Sequence, residues 1–171
     1  MVVRGALPRT PVAHVTALGS EQGQVMTVVA RPPSSLGTVK VLLIDPCVVM
    51  REGLCALIAR QPDLVVVAQA DGVRGAAGLD LTPDVIVTDV DLPDREQREA
   101  ISGLRSLFPH SAILVLSMDE QPATVDAALA AGARGYVLKT ASSPELFRGI
   151  RALAAGQTYI CLLYTSPSPR D

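Results

Sequence analysis

The 171-residue chain has no Trp, two Phe and three Tyr. Aromatic stacking cannot organise its core, so burial falls to Val, Leu, Ile and Ala, which dominate the 49% of residues that are apolar. Cysteine is scarce as well, with three in all. Cys47 and Cys55 lie eight positions apart on a segment that reads as helical. That places them about 12 Å apart along a helix axis, too far for a disulfide. Cys161 lies in a compositionally odd tail. No Cys or His spacing suggests a metal cluster, and free packed thiols fit a cytoplasmic setting. No apolar run reaches the roughly 18 residues of a membrane helix, which argues against a membrane partner. The N-terminal stretch is interrupted by Arg4, Pro8, Arg9 and Pro11, unlike a signal peptide. Strong charge is also missing: the net is −2. Residues 1–38 carry +2 and residues 39–160 carry −4. An acidic domain is a poor nucleic-acid binder by itself, because phosphate contacts supply most non-specific affinity.

Regular patterning begins after "RPPSSLGT" (31–38), a linker by composition. Five apolar runs follow: "VKVLLID" (39–45), "DLVVVAQA" (63–70), "PDVIVTD" (83–89), "SAILVLS" (111–117) and "GYVLK" (135–139). Between and after them lie five segments with helical spacing, at 48–61, 73–81, 95–108, 121–133 and 143–156. Gly132 closes the fourth helix, while Ser143, Pro144 and Gly156 read as cap, first position and stop of the fifth. Near-continuous apolar strands mean burial on both faces, hence a parallel sheet covered by helices. The expected fold is α/β: a flavodoxin-like, doubly wound sheet of five strands, order 2-1-3-4-5, with five helices.

In such a sheet the site lies at the carboxyl ends of the strands. Those ends deliver Asp45, Asp89, Ser117 and Lys139. A carboxylate can act as a nucleophile and form an acyl phosphate. Oxygen donors can hold a divalent cation that neutralises phosphoryl charge, and an ammonium and a hydroxyl can bind phosphoryl oxygens. Singly each residue is ordinary: an Asp at a strand end is often a turn residue, a lysine a solvated charge, a tyrosine plain packing. It is the convergence that points to phosphoryl chemistry.

The segments "VLLIDPCVVMREGL" (41–54), "PDVIVTDVDLP" (83–93), "ILVLSMDE" (113–120) and "AGARGYVLKTASSPEL" (131–146) resemble a response-regulator receiver domain over residues 39–160. "REGL" with "AGARGYVLK" is most similar to the NarL/FixJ branch, whose members join a receiver to a LuxR-type helix-turn-helix. The resemblance implies Asp89 as phosphoacceptor, Ser117 as switch hydroxyl, Tyr136 as switch aromatic and Lys139 as the phosphate-contacting lysine. It implies a Mg2+ site using Asp45, Asp89 and the backbone carbonyl of Asp91. It further implies a histidine kinase as partner, a homodimer, no enzymatic turnover, and DNA contact only through a C-terminal domain absent from this chain.

Several positions depart from that pattern. Pro46 stands where the family has the second of two adjacent acids, removing a carboxylate and a backbone N–H. The connection between the second and third strands is short, "LPDREQREA" lacks the usual glycine turn, and position 140 is Thr. Weaker Mg2+ binding is the expectation. Two other readings stay open. One is a pseudo-receiver that acts as an interaction or dimerisation module without phosphorylation. The other is a haloacid-dehalogenase-like phosphatase using Asp89 and Asp91 of "DVDLP". Against the latter, that signature belongs to the first strand of its own fold, and no acidic pair follows Lys139.

The chain ends "CLLYTSPSPRD", residues 161–171. These 11 residues match, codon by codon, a translated transposase-type sequencing adapter. The expectation is that they are not native, and such scars stand outside fold reasoning. Residues 1–38 are expected to be disordered or a misassigned start, with Met26 as an alternative initiator.

Overall fold

The computed structural model describes residues 37–91 and 96–162. The expectations for residues 1–36 and for 163–171 therefore lie outside the described residues, as do Leu92, Pro93, Asp94 and Arg95.

Six strands form one parallel sheet in the order β2-β1-β3-β4-β5-β6. They are β1 (Val39–Ile44), β2 (Leu64–Ala70), β3 (Val85–Thr88), β4 (Ala112–Ser117), β5 (Gly135–Leu138) and β6 (Tyr159–Cys161). The helices are α1 (Val48–Ile58), α2 (Val73–Ala77), α3 (Gln97–Leu107), α4 (Pro122–Ala131) and α5 (Ser143–Ala154). The α/β class and the order of the first five strands agree with the sequence reading. The count does not: β6 pairs in parallel with β5, Tyr159 opposite Gly135 and Cys161 opposite Val137. A three-residue strand has too little pattern to be recognised alone, and its pairing with β5 defines it. It also runs across the boundary expected at residue 160.

The strands form because their side chains fill both faces. β3, β4 and β5 are buried at every position, as a central parallel strand requires. Alternate residues feed two cores. Leu42, Ile44, Ile86, Ile113, Val115 and Leu138 pack with α2, α3 and α4. Val41, Leu43, Val87, Leu114, Leu116 and Val137 pack with α1 and α5. Each such side chain contributes about 1.5–3 kcal/mol when fully buried.

A bulge lets the edge strand β2 serve both cores. Val41 pairs with Val66 and Leu42 with Ala68, so Val67 is skipped. A one-residue slip moves the following side chains to the opposite face. Leu64 and Val66 accordingly join the α1/α5 core, while Ala68 and Ala70 join the other.

Helix ends follow their caps. α4 starts at Pro122 and closes on Gly132, whose φ of 112° is one that residues with a Cβ rarely adopt. Gly135 admits close approach: a Cβ there would collide with the Leu114 side chain. α5 is capped by Ser142, so Ser143 is the first helical residue and not the cap. Pro144 falls at the second helical position, inside the first turn, where its missing N–H leaves no intrahelical bond unmade. α1 and α2 stop earlier than expected, at Ile58 and Ala77. Gln61 and Pro62 already belong to the turn into β2, and Gly78 weakens any continuation of α2.

Candidate functional site

Register brings the strand ends into line. The Asp45 N–H donates to the Ala70 carbonyl, Asp89 N–H to Ile44, and Lys139 N–H to Ser117. The side chains of Asp45, Asp89, Ser117 and Lys139 are thereby presented from neighbouring strands at one edge.

The Lys139 ammonium bridges the two carboxylates, 2.8 Å from Asp45 Oδ2 and 2.6 Å from Asp89 Oδ2. All three side chains are nearly withdrawn from solvent, at 11% exposure for Lys139, 4% for Asp45 and 10% for Asp89. Burial acts to lower the lysine's pKa, but the hydrogen bonds and charges of Asp45 and Asp89 outweigh it and hold the group above its usual value. The remaining oxygens are tied to the main chain. Asp45 Oδ1 accepts the Cys47 N–H at 2.7 Å. Asp89 Oδ1 accepts the N–H groups of Val90 at 2.6 Å and Asp91 at 3.1 Å. Asp91 itself is exposed.

Ser117 is buried, and its Oγ accepts the Asp119 N–H at 3.0 Å. Tyr136 is fully buried, with its hydroxyl donating to the Asp119 carbonyl at 2.7 Å. Burial raises the phenol's pKa, a hydrogen bond from Ser117 opposes this, and the carboxylates of Asp119, Asp91 and Asp89 add to the rise. Tyr136, Ser117 and the β4–α4 loop are thus one hydrogen-bonded unit. Asp119 organises that loop: it accepts the Gln121 N–H at 2.8 Å and the Thr124 hydroxyl at 2.6 Å. The Thr124 bond, then the Gln121 bond, hold its carboxyl below the usual range.

All six residues singled out from the sequence gather here: Asp45, Asp89, Ser117 and Lys139 at the centre, Tyr136 beneath, Asp91 at the rim. Two partners were not singled out as site residues. Asp119 precedes Pro122 in "MDEQP", a helix-start signal that would have drawn attention to it. Arg51 lies within "REGL"; it is buried and donates to the Asp45 carbonyl, and its burial gives no local sequence sign.

Oxygen donors for a divalent cation are few in this set. It offers two carboxylates and one main-chain carbonyl, and Pro46 supplies no third acid. Among the described residues no three His, Cys, Asp or Glu side chains gather in metal-binding geometry. The arrangement presents a carboxylate beside an ammonium, with a hydroxyl on the neighbouring strand end, as phosphoryl acceptance needs.

Comparison with known proteins agrees with this geometry. Residues 41–151 match the response regulator receiver domain. The transcriptional regulatory protein DegU of Brevibacillus brevis is 32% identical over 126 residues, 71% of this chain and 52% of that protein. The transcriptional regulatory protein UhpA of Salmonella typhimurium is 36% identical over 124 residues, 71% of this chain and 62% of that protein. The chain thus spans about half to three-fifths of the length of these relatives. Among solved structures, a LuxR-family two-component response regulator from an Aurantimonas species is 35% identical with a TM-score of 0.68, covering 72% of this chain and 89% of that one. The receiver domain of the putative response regulator NarL from Mycobacterium tuberculosis is 28% identical with a TM-score of 0.66, covering 71% and 99%. With its flavodoxin-like fold and its matched segment spanning most of the sheet, the chain belongs to the response regulator receiver family.

Proposed function

We propose that this receiver accepts a phosphoryl group on Asp89 and passes the change to a transcriptional output domain. The observation that carries the reading is the Asp45–Lys139–Asp89 bridge at the carboxyl edge. A carboxylate oxygen of Asp89 attacks phosphorus, the donor's bond to phosphorus breaks, and the leaving group departs with its electron pair. For a histidine kinase the broken bond is P–N, and the released imidazole takes up a proton. Lys139 turns from the carboxylates to the new phosphoryl oxygens, which now carry the negative charge. Ser117 donates a hydrogen bond to one of them, which reorganises the β4–α4 loop that its Oγ and Tyr136 share through Asp119. The chain is a signal acceptor without steady turnover and acts in the cytoplasm. Among the described residues no helix is long and apolar enough to cross a membrane.

The metal pocket is atypical. Asp45, Asp89 and the Asp91 carbonyl are one acid short, so Mg2+ binds weakly and no step above is assigned to it. DNA contact belongs to an output domain like those of the longer transcriptional relatives. Residues 161–171 are foreign, and residues 1–38 lie outside the receiver. Homodimers use the face formed by α4, β5 and α5.

The test is incubation with radiolabelled acetyl phosphate. Wild type should acquire one label that hydroxylamine removes, and Asp89→Asn should acquire none. A second reading is favoured by Pro46 and by the engagement of every oxygen of Asp45 and Asp89: a pseudo-receiver that binds partners without phosphorylation. An unlabelled wild type that still dimerises supports it and ends the first.

A further inference from the structure

We infer that Arg51 is a positioning residue that holds the Asp45–Pro46–Cys47 corner and, through it, the bridge to Asp89. The inference rests on the proposed role of Asp89.

Arg51 lies one turn into α1 and is 7% exposed. Its guanidinium donates to the main-chain carbonyl of Asp45. Among the described residues no carboxylate forms an ion pair with it. A buried guanidinium must find hydrogen-bond acceptors within the fold, and the acceptor found here is a main-chain carbonyl. What this contact secures is visible at Asp45, six positions earlier in the chain. Asp45 is gripped at three points: its carbonyl by Arg51, Oδ1 by the Cys47 N–H at 2.7 Å, and Oδ2 by Lys139 at 2.8 Å.

The grip compensates for a weak helix start. The Cys47 side chain makes no capping hydrogen bond, and the first turn of α1 carries no acid. Pro46 has no N–H to anchor the corner from within. Released from Arg51, the peptide between Asp45 and Pro46 can rotate, and rotation swings the Asp45 carboxylate away from Lys139. Lys139 then rests on Asp89 alone. The path runs from the Arg51 guanidinium to the Asp45 carbonyl, then from Asp45 Oδ2 through Lys139 to Asp89 Oδ2.

The experiment compares wild type, Arg51→Gln, Arg51→Lys, Asp45→Asn and the Asp45→Asn/Arg51→Gln double variant. One readout is the rate of acetyl phosphate labelling of Asp89. The other is the amide NMR signal of Cys47, which reports the corner directly. Arg51→Gln should slow labelling about tenfold at saturating donor, the scale of a misplaced catalytic contact, with the half-saturating concentration little changed. It should also shift the Cys47 amide. Arg51→Lys, which keeps a donor, should recover much of both. The double variant should label no more slowly than Asp45→Asn, because Arg51 acts through Asp45. Full additivity of the two changes overturns the inference, as does an unchanged Cys47 amide in Arg51→Gln. If wild type takes no label, the phosphoacceptor reading fails, and the Cys47 amide in the five proteins still decides whether Arg51 holds the corner.

Discussion

The two edges of the sheet hold ion pairs of different composition and opposite character. At the carboxyl edge one ammonium sits between two carboxylates, all nearly withdrawn from water. At the amino edge, Asp63 just before β2 accepts two hydrogen bonds from Arg151 at the end of α5, with Asp63 36% and Arg151 40% exposed. The second pair ties a loop to a helix in solvent, where geometry is good but water competes. The first has an excess carboxylate, so its charges are unbalanced. Such a cluster is weak evidence for stabilising a fold, while its ammonium is placed to contact phosphoryl oxygens beside a carboxylate nucleophile.

The comparison breaks most sharply at Asp89. Asp89→Asn should abolish acyl-phosphate formation while leaving the melting temperature unchanged or higher, since one of two crowded carboxylates is gone. Calorimetry beside the labelling assay checks both halves. Next comes Lys139→Met. Labelling should fall by about a hundredfold, in keeping with loss of a group aimed at developing charge. Stability should also fall, because Asp45 and Asp89 are left facing each other. Lys139 is held above its ordinary value, so its contribution is present below about pH 10 and fades as pH rises through the folded-state value. Urea melts of both proteins should therefore converge at high pH.

Pro46→Asp restores a third carboxylate and should tighten Mg2+ binding by about tenfold, a typical effect of completing a metal's surroundings. Isothermal titration calorimetry reads it directly, and equal, tight binding by both proteins would remove the atypical pocket from the account. The smallest effect belongs to the amino edge. Arg151→Ala should cost about 0.5 kcal/mol, an exposed pair's usual worth. Arg151 holds Asp63 below the usual carboxylate range. That contribution is present above about pH 4 and is lost as pH falls through the lower folded-state value. The Arg151→Ala deficit should thus shrink in acid.

The same contrast explains what could be read from the sequence. Apolar runs ending in Asp45, Asp89, Ser117 and Lys139 revealed the sheet and its reactive edge together, because a parallel strand must be apolar until it leaves the core. What stayed hidden depended on partners remote in the chain. Lys139 reaches Asp45 across 94 positions, so the bridge itself leaves no local mark. β6 has three residues, and its standing comes from β5 and from the Tyr159 hydroxyl bonded to Glu145. Burial and the Glu145 bond push that phenol up to about 12. Arg51 reads as an ordinary solvated arginine on α1 until the packing shows its guanidinium turned inward.

The most direct measurement is chemical location of the label. Treating the acetyl phosphate-labelled protein with borohydride reduces an aspartyl phosphate to homoserine, which peptide mass spectrometry can place. The account predicts homoserine at position 89 alone. Homoserine at 45 or 91, or none anywhere in a protein whose Asp45–Lys139–Asp89 bridge is intact, would contradict it.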